Sequence, residues 1–299
     1  MQKRILGRTG LEVFPLAYGA MELHRCKSDA EADAILNQAL DLGINYIDTS
    51  PEYETSEDRI GKAISKRRNE YILATKCGDV AGNFHYDFSR KTMVDNLENS
   101  LRRMKTDHID IWQLHGATPM HFPNGQQEEA FQVMKEMQQQ GKVRFLGVTM
   151  RHGRDYEDVC PTQSSYFYAP FFAKLEPIDM IQLVYGGMIR TVEHEITPLT
   201  KAGKGIIARS GVNWFKPKLY DSIWEDQRMS ELLARGEDQK GWLLRFVISH
   251  PDITAPVIGT INTEHLKKNV EAINRGPLPE NVYREAKYRL PKPYTEMNL

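Results

Sequence analysis

The 299-residue sequence predicts an α/β protein built as a (β/α)8 barrel of the TIM type, and three observations carry that prediction. Short β-rich runs recur along the chain, each closed by a polar or glycine-containing turn, with amphipathic helical patterns between them; this alternation favours a parallel sheet. Eight such runs are present, the number on which this kind of barrel closes. No glycine-rich dinucleotide loop follows the first run, which weakens a doubly wound open sheet as the alternative. No Pro/Ser/Gly-rich linker divides the chain, so residues 1–299 are expected to form one domain.

The opening residues RILGRTGLEV carry Thr9-Gly10 between two short apolar runs and read as a small hairpin ahead of the barrel. The strand candidates are PLAYG at 15–19, INYID at 44–48, YILAT at 71–75, IDIWQLH at 109–115, FLGV at 145–148, MIQLV at 180–184, GIIA at 205–208 and APVIG at 255–259. After the first of them, SDAEADAILNQALDLG reads as a helix. Ser28 is placed to cap it, Ala32, Ile35, Leu36, Ala39 and Leu42 share one face, and Gly43 stops it. Further helical patterns run over 57–67, 91–105, 127–140, 191–202, 239–249 and 263–274, with extra helical material at 227–235 and 280–290.

Composition excludes several functional classes. With 40% hydrophobic and 26% charged residues, a net charge of -1 and no run of like charge, nothing points to nucleic acid or an anionic membrane as partner. No window approaches the roughly 18 apolar residues that a membrane span needs, and no apolar stretch follows the basic N-terminus, so a cytoplasmic protein is expected. Cys26, Cys77 and Cys160 are odd in number, widely spaced and free of CxxC patterns; they read as reduced structural thiols, with no metal site expected.

In such barrels the chemistry sits at the C-terminal ends of the strands. The second strand ends in Asp48 with Tyr53 in the loop beyond it, the third in ATKCG with Lys76, and the fourth in WQLHG with His115. Singly, Asp48 reads as well as a turn carboxylate, Lys76 reads better as a snorkelling lysine, and His115 reads better as a satisfied core histidine. Jointly, three successive strands deliver costly groups to one rim, where burial demands that they pair. Together they make an acid. A free tyrosine, with a pKa of about 10, is a poor donor at neutral pH. An adjacent ammonium is expected to lower that value, with a carboxylate holding the ammonium charged. A neutral His115 would donate a hydrogen bond to a carbonyl oxygen. No side chain offers a nucleophile for the carbonyl carbon, which points to hydride from a nicotinamide cofactor.

These motifs resemble those of the aldo-keto reductase superfamily along nearly the whole chain: RILGRTGLEVFPLAYGAM, IDTSPEYETSED, LATKCG, IDIWQLHGA, QLVYGG, IIARSGV and FVISHPDITAPVIGTINTEHLKKNVEA. The resemblance implies Asp48, Tyr53, Lys76 and His115 as catalytic residues and a small carbonyl or alcohol substrate. It further implies NADP(H), with NAD(H) also accepted, held by Gly19, Ala20, Met21, Asp48, Thr149, Gln182, Ala208, Arg209, Ser210, Gly211, Val212, Ile258, Gly259, Thr260, His265 and Asn269. Two departures stand out. Thr149-Met150 replaces the family's serine-asparagine grip on the nicotinamide carboxamide, and Met150 cannot stand in for an amide. Arg209 stands where many relatives place an aromatic ring, and its planar guanidinium could cover the nicotinamide or meet an anionic substrate group. At the adenosine end the usual lysine and arginine align with Ile261 and His265, which implies modest discrimination between the two dinucleotides.

The substrate pocket is expected among the loops carrying His24, Phe84, His85, Tyr86, Met120, Phe122, Trp214 and Phe215, beside Tyr53 and His115. Two other functions compete with this one: a barrel aldolase with Lys76 as Schiff-base lysine, and a nicotinamide-nucleotide-binding regulatory subunit with little turnover.

Overall fold

The computed structural model describes residues 1–78, 80, 86–117, 126–150, 174–190, 192–209 and 217–290. Strands β1 (Arg4–Ile5) and β2 (Glu12–Val13) pair antiparallel as the N-terminal hairpin. The remaining eight are β3 (Ala17–Gly19), β4 (Tyr46–Asp48), β5 (Ile72–Cys77), β6 (Ile109–Leu114), β7 (Val143–Thr149), β8 (Met180–Val184), β9 (Gly205–Arg209) and β10 (Ala255–Ile258). They run parallel in sequence order, and β10 pairs with both β9 and β3, so the sheet closes into the barrel that the sequence predicts and the open sheet is excluded.

Period-two alternation sorts the side chains into two cores. Ala17, Tyr46, Ile72, Ala74, Ile111, Met180, Ile207 and Ala255 meet inside the barrel, and Leu6 and Val13 of the hairpin join them as a plug at one end. Gly7, with φ +48°, has no alternative there, because a Cβ would collide with the backbone of Gly205. The outward set, Ile47, Leu73, Trp112, Leu146, Ile181 and Ile206 among it, packs under the helices. Those helices include Asp29–Asp41, capped by the Ser28 side chain, Arg90–Met104, and Glu193–Lys201.

Several predicted boundaries move. The strand expected over 44–48 pairs only from Tyr46, while β5 and β7 continue past their predicted ends through Lys76 and Thr149. The helix expected over 57–67 stops at Ala63 and becomes a 3-10 turn over Ser65–Glu70. Material expected over 227–235 is only a 3-10 turn at Met229–Leu232, and a helix the sequence reading did not place precedes it at Pro217–Asp226. Cys26 and Cys77 are buried thiols; Cys160 lies outside the described residues.

Candidate active site

The layer above the inner apolar core follows from the same alternation. Ala74, Ile111, Met180 and Ile207 point inward, so Lys76, Gln113, Gln182 and Arg209, two residues further on, point inward one layer up, as Asp48 does above Tyr46. Strand register sets them side by side: Asp48 is opposite Ala74, Lys76 opposite Gln113, and Thr149 opposite Gln182. The barrel therefore ends in a polar floor laid on an apolar one.

Asp48 and Lys76 are 4% and 1% exposed, so their charges have to be matched by neighbours. They are. Lys76 Nζ donates to Asp48 Oδ2 at 2.8 Å and to the Thr49 carbonyl at 2.7 Å, while Gln113 Nε2 and Gln182 Nε2 both donate to Asp48 Oδ1, at 3.1 and 3.0 Å. A glycine makes the room: a Cβ on Gly147 would lie 2.6 Å from Met180 Sδ and 2.9 Å from Gln113 Cγ. These bonds hold Lys76 as an ammonium, the opposite of what a Schiff-base nucleophile needs.

The loop after β4 brings Tyr53 back over this floor. Its N–H donates to the Ser50 carbonyl at 3.1 Å, and Glu54 turns through a left-handed φ of 46°, a conformation that costs a non-glycine residue about 1 kcal/mol. Thr49 and Ser56 hydroxyls meet at 2.8 Å, and buried Glu57 accepts from Thr75 and Arg103, tying the loop to the helices around it. Lys76 Nζ lies 4.8 Å from the Tyr53 ring centroid. The His115 ring meets the Tyr53 ring edge-on at 6.0 Å and Tyr86 at 5.2 Å, and His115 Nδ1 lies 3.3 Å from Ser50 Oγ.

One expectation is corrected here. Tyr53 borders the cavity, and burial pushes its phenol above its ordinary value. Lys76 and Arg209 pull it down and Asp48 pushes it further up, so desolvation outweighs the ammonium and the net direction is upward.

A cavity of about 740 Å³ joins this cluster to the far end of the barrel mouth. Gly19, Met21, Thr149, Gln182 and Arg209 line it near Asp48; Ile258, Gly259, Thr260, His265 and Asn269 line it beyond β10. Ala20 and Ala208 are fully buried under the helices and border no part of it, and His24 Nδ1 turns back to the Met21 carbonyl at 2.6 Å. Ser210, Gly211, Val212, Phe84, His85, Met120, Phe122, Trp214 and Phe215 lie outside the described residues. Thr149 spends its hydroxyl proton on the Leu114 carbonyl at 3.1 Å and accepts from the Gly116 N–H at 3.3 Å, so toward a carboxamide it can act only as an acceptor. Arg209 Nη2 donates to the carbonyl of Met150 at 3.1 Å and so reaches toward the position that lacks its amide. At the far end Asn262 caps the helix Thr263–Asn274, its side-chain oxygen accepting the Glu264 and His265 N–H groups.

Residues 15–216 match the model of the aldo/keto reductase family. The chain belongs to that family. It is 26% identical to an uncharacterized oxidoreductase, YqkF, of Bacillus subtilis, over 94% of each chain. Half of it, 50%, matches 48% of an L-galactose dehydrogenase of Arabidopsis thaliana at 36% identity. The solved holo form of an aldo-keto reductase from Bacillus halodurans shares its fold, with a TM-score of 0.82 over 99% of both chains at 24% identity. This aldo-keto reductase is thus an enzyme of carbonyl and alcohol oxidoreduction.

Sequence reasoning missed three side chains of the site. Gln113 supports Asp48 from within a strand, Glu52 lies on the cavity wall beside His115, and Lys268 lines the far end. The signal for Lys268 was present: His265, Lys268 and Asn269 stand at i, i+3 and i+4 on one helix face, opposite buried Leu266, Val270 and Ile273.

Proposed function

We propose that this aldo-keto reductase interconverts an aldehyde, ketone or sugar carbonyl and its alcohol with a nicotinamide dinucleotide, NADP(H) being the expected carrier and NAD(H) accepted, in one barrel domain over residues 1–299. The observation that carries this reading is Lys76 Nζ, 2.8 Å from the Asp48 carboxylate and 4.8 Å from the centre of the Tyr53 ring, with His115 packed against the same ring. The cavity supports a dinucleotide: its lining extends from Asp48 and Gln182 at the barrel mouth to His265 and Asn269 on the helix after β10. Gln182 and Arg209 would hold its carboxamide end; Thr260, His265, Lys268 and Asn269 would hold its adenosine end. When bound, the nicotinamide supplies hydride to the carbonyl carbon.

The side chains do the rest. The Tyr53 hydroxyl donates to the carbonyl oxygen and passes its proton over as that oxygen becomes an alkoxide. An alkoxide is a far stronger base than a phenolate, so the transfer runs downhill even from a phenol that burial has pushed up. Lys76 stabilises the phenolate left behind, Asp48 holds Lys76, and His115 orients the substrate oxygen. The likeness to an L-galactose dehydrogenase adds sugars to the substrates worth assaying. Titration with NADPH and NADH, followed by tryptophan fluorescence, tests the cofactor class, and an aldehyde, ketone and sugar panel tests the reaction. Saturable quenching by either dinucleotide is expected; its absence with both would refute the proposal.

A further inference from the structure

We propose that Glu52 is a positioning residue for His115: its carboxylate keeps a proton on His115 Nδ1, so that the opposite nitrogen, Nε2, donates a hydrogen bond only when the imidazole is doubly protonated. This rests on the reading of His115 as the group that meets the substrate oxygen.

Glu52 directly precedes Tyr53, and its Oε2 lies 3.6 Å from His115 Nδ1. Both side chains line the cavity, and at 18% and 12% exposure they are largely out of water, where attraction is weakly screened. Ser50 Oγ approaches the same nitrogen at 3.3 Å and also accepts the Glu52 N–H at 3.3 Å. A hydroxyl can donate to Nδ1 or accept from it, whereas an ionised carboxylate only accepts. The carboxylate therefore decides the tautomer, and Nδ1 carries the single proton of the neutral ring.

Other charged groups around the imidazole do not compete at Nδ1. Among the described residues, Lys76 is turned to Asp48 at 2.8 Å, Arg209 is anchored on the Met150 carbonyl, and Tyr53 and Tyr86 present rings. The chemical consequence is directional. With Nδ1 protonated, a neutral ring offers an acceptor at Nε2, which suits the O–H of an alcohol; a carbonyl oxygen requires the doubly protonated ring. Carbonyl reduction is thus favoured at lower pH and alcohol oxidation at higher pH, and Glu52 is the residue that imposes this division.

The test uses long-range ¹H–¹⁵N spectra of the ¹⁵N-labelled resting protein, with the His115 signals assigned by their loss in His115→Gln. The wild type at a pH where the ring is neutral is expected to show the Nδ1–H tautomer, and Glu52→Gln to transfer most of that population to Nε2–H, while Ser50→Ala keeps the wild-type pattern. In parallel, because a neutral ring with its proton on Nε2 can donate to a carbonyl oxygen, the alkaline loss of kcat/KM for reduction should disappear in Glu52→Gln. A wild-type Nε2–H tautomer, a tautomer that follows Ser50→Ala, or an alkaline loss that persists in Glu52→Gln would overturn the proposal. The spectra need no turnover, so they stand even if Tyr53 proves dispensable, and Tyr53→Phe kinetics judge that separate reading.

Discussion

Removing the Asp48 carboxylate should damage the site through the lysine it holds. At 2.8 Å, and with the effective dielectric constant of about 20 that suits such positions, the direct attraction of Asp48 and Lys76 is about 6 kcal/mol. That figure is an upper bound on the pair's worth, because both charges left water to form it. In Asp48→Asn the amide has one acceptor for the three donors that Asp48 satisfies, Lys76, Gln113 and Gln182. Either orientation sets an NH2 group against another donor. The ammonium keeps the Thr49 carbonyl but loses its counter-ion. Each single change, Asp48→Asn or Lys76→Met, is expected to cost about 3–5 kcal/mol, and the double variant about 2–3 kcal/mol less than their sum. Urea midpoints at unchanged slope measure this, with fluorescence and far-UV transitions required to coincide so that two-state values apply. Costs that add to within about 0.5 kcal/mol would show that the two charges are not coupled, and the support assigned to Asp48 would fall.

Tyr53→Phe keeps the ring and removes the proton, so turnover should fall by about 10²–10⁴ with dinucleotide Kd unchanged; steady-state kinetics and fluorescence titration check both. Because burial pushes the Tyr53 phenol up, it stays protonated to higher pH than a free tyrosine, so Tyr53 should impose no loss of reduction below about pH 10, while oxidation, which needs the phenolate, should rise with pH. Retention of both pH dependences in Tyr53→Phe would contradict this. Arg209→Ala should raise the dinucleotide Kd or the substrate KM, and unchanged values of both would place the guanidinium outside the binding step. Lys268→Ala should weaken NADPH binding by about 10–100-fold and NADH much less, whereas Lys267, already paired with Glu264 at 2.7 Å, should matter little; equal losses for both dinucleotides would remove the 2′-phosphate from Lys268.

What the sequence made legible follows a physical division. Hydrophobic period reports which way a side chain points, so the barrel, its hairpin plug and the rim position of Asp48, Lys76 and His115 were readable from apolar runs that end in polar residues. MIQLV at 180–184 and the helices over 239–249 and 263–274 appear with the predicted limits, because Asp238 and Asn262 cap those two helices. The helix begun at Ser56 ends early because Ile64 and Arg67 leave helical geometry, a choice made by the approach of the chain to β5 and absent from the local pattern.

Polar residues inside apolar runs were harder to read. Gln113 sits between Trp112 and Leu114 in a buried strand, and only closure of the barrel shows that its amide meets a carboxylate from two strands away. Glu52 is harder still, since a loop has no period to report where its carboxylate goes. The Tyr53 phenol illustrates the same limit in energy. Sequence supplied the ammonium that lowers its pKa, while the enclosure that raises it exists only once Tyr53, His115 and Tyr86 close over the floor. Charge partners can be inferred from strand ends, but solvation depends on the whole fold, and it is solvation that sets the sign here. In the proposed mechanism the acid therefore works less by a phenol made strong in advance than by an ammonium already in place for the phenolate that proton transfer creates.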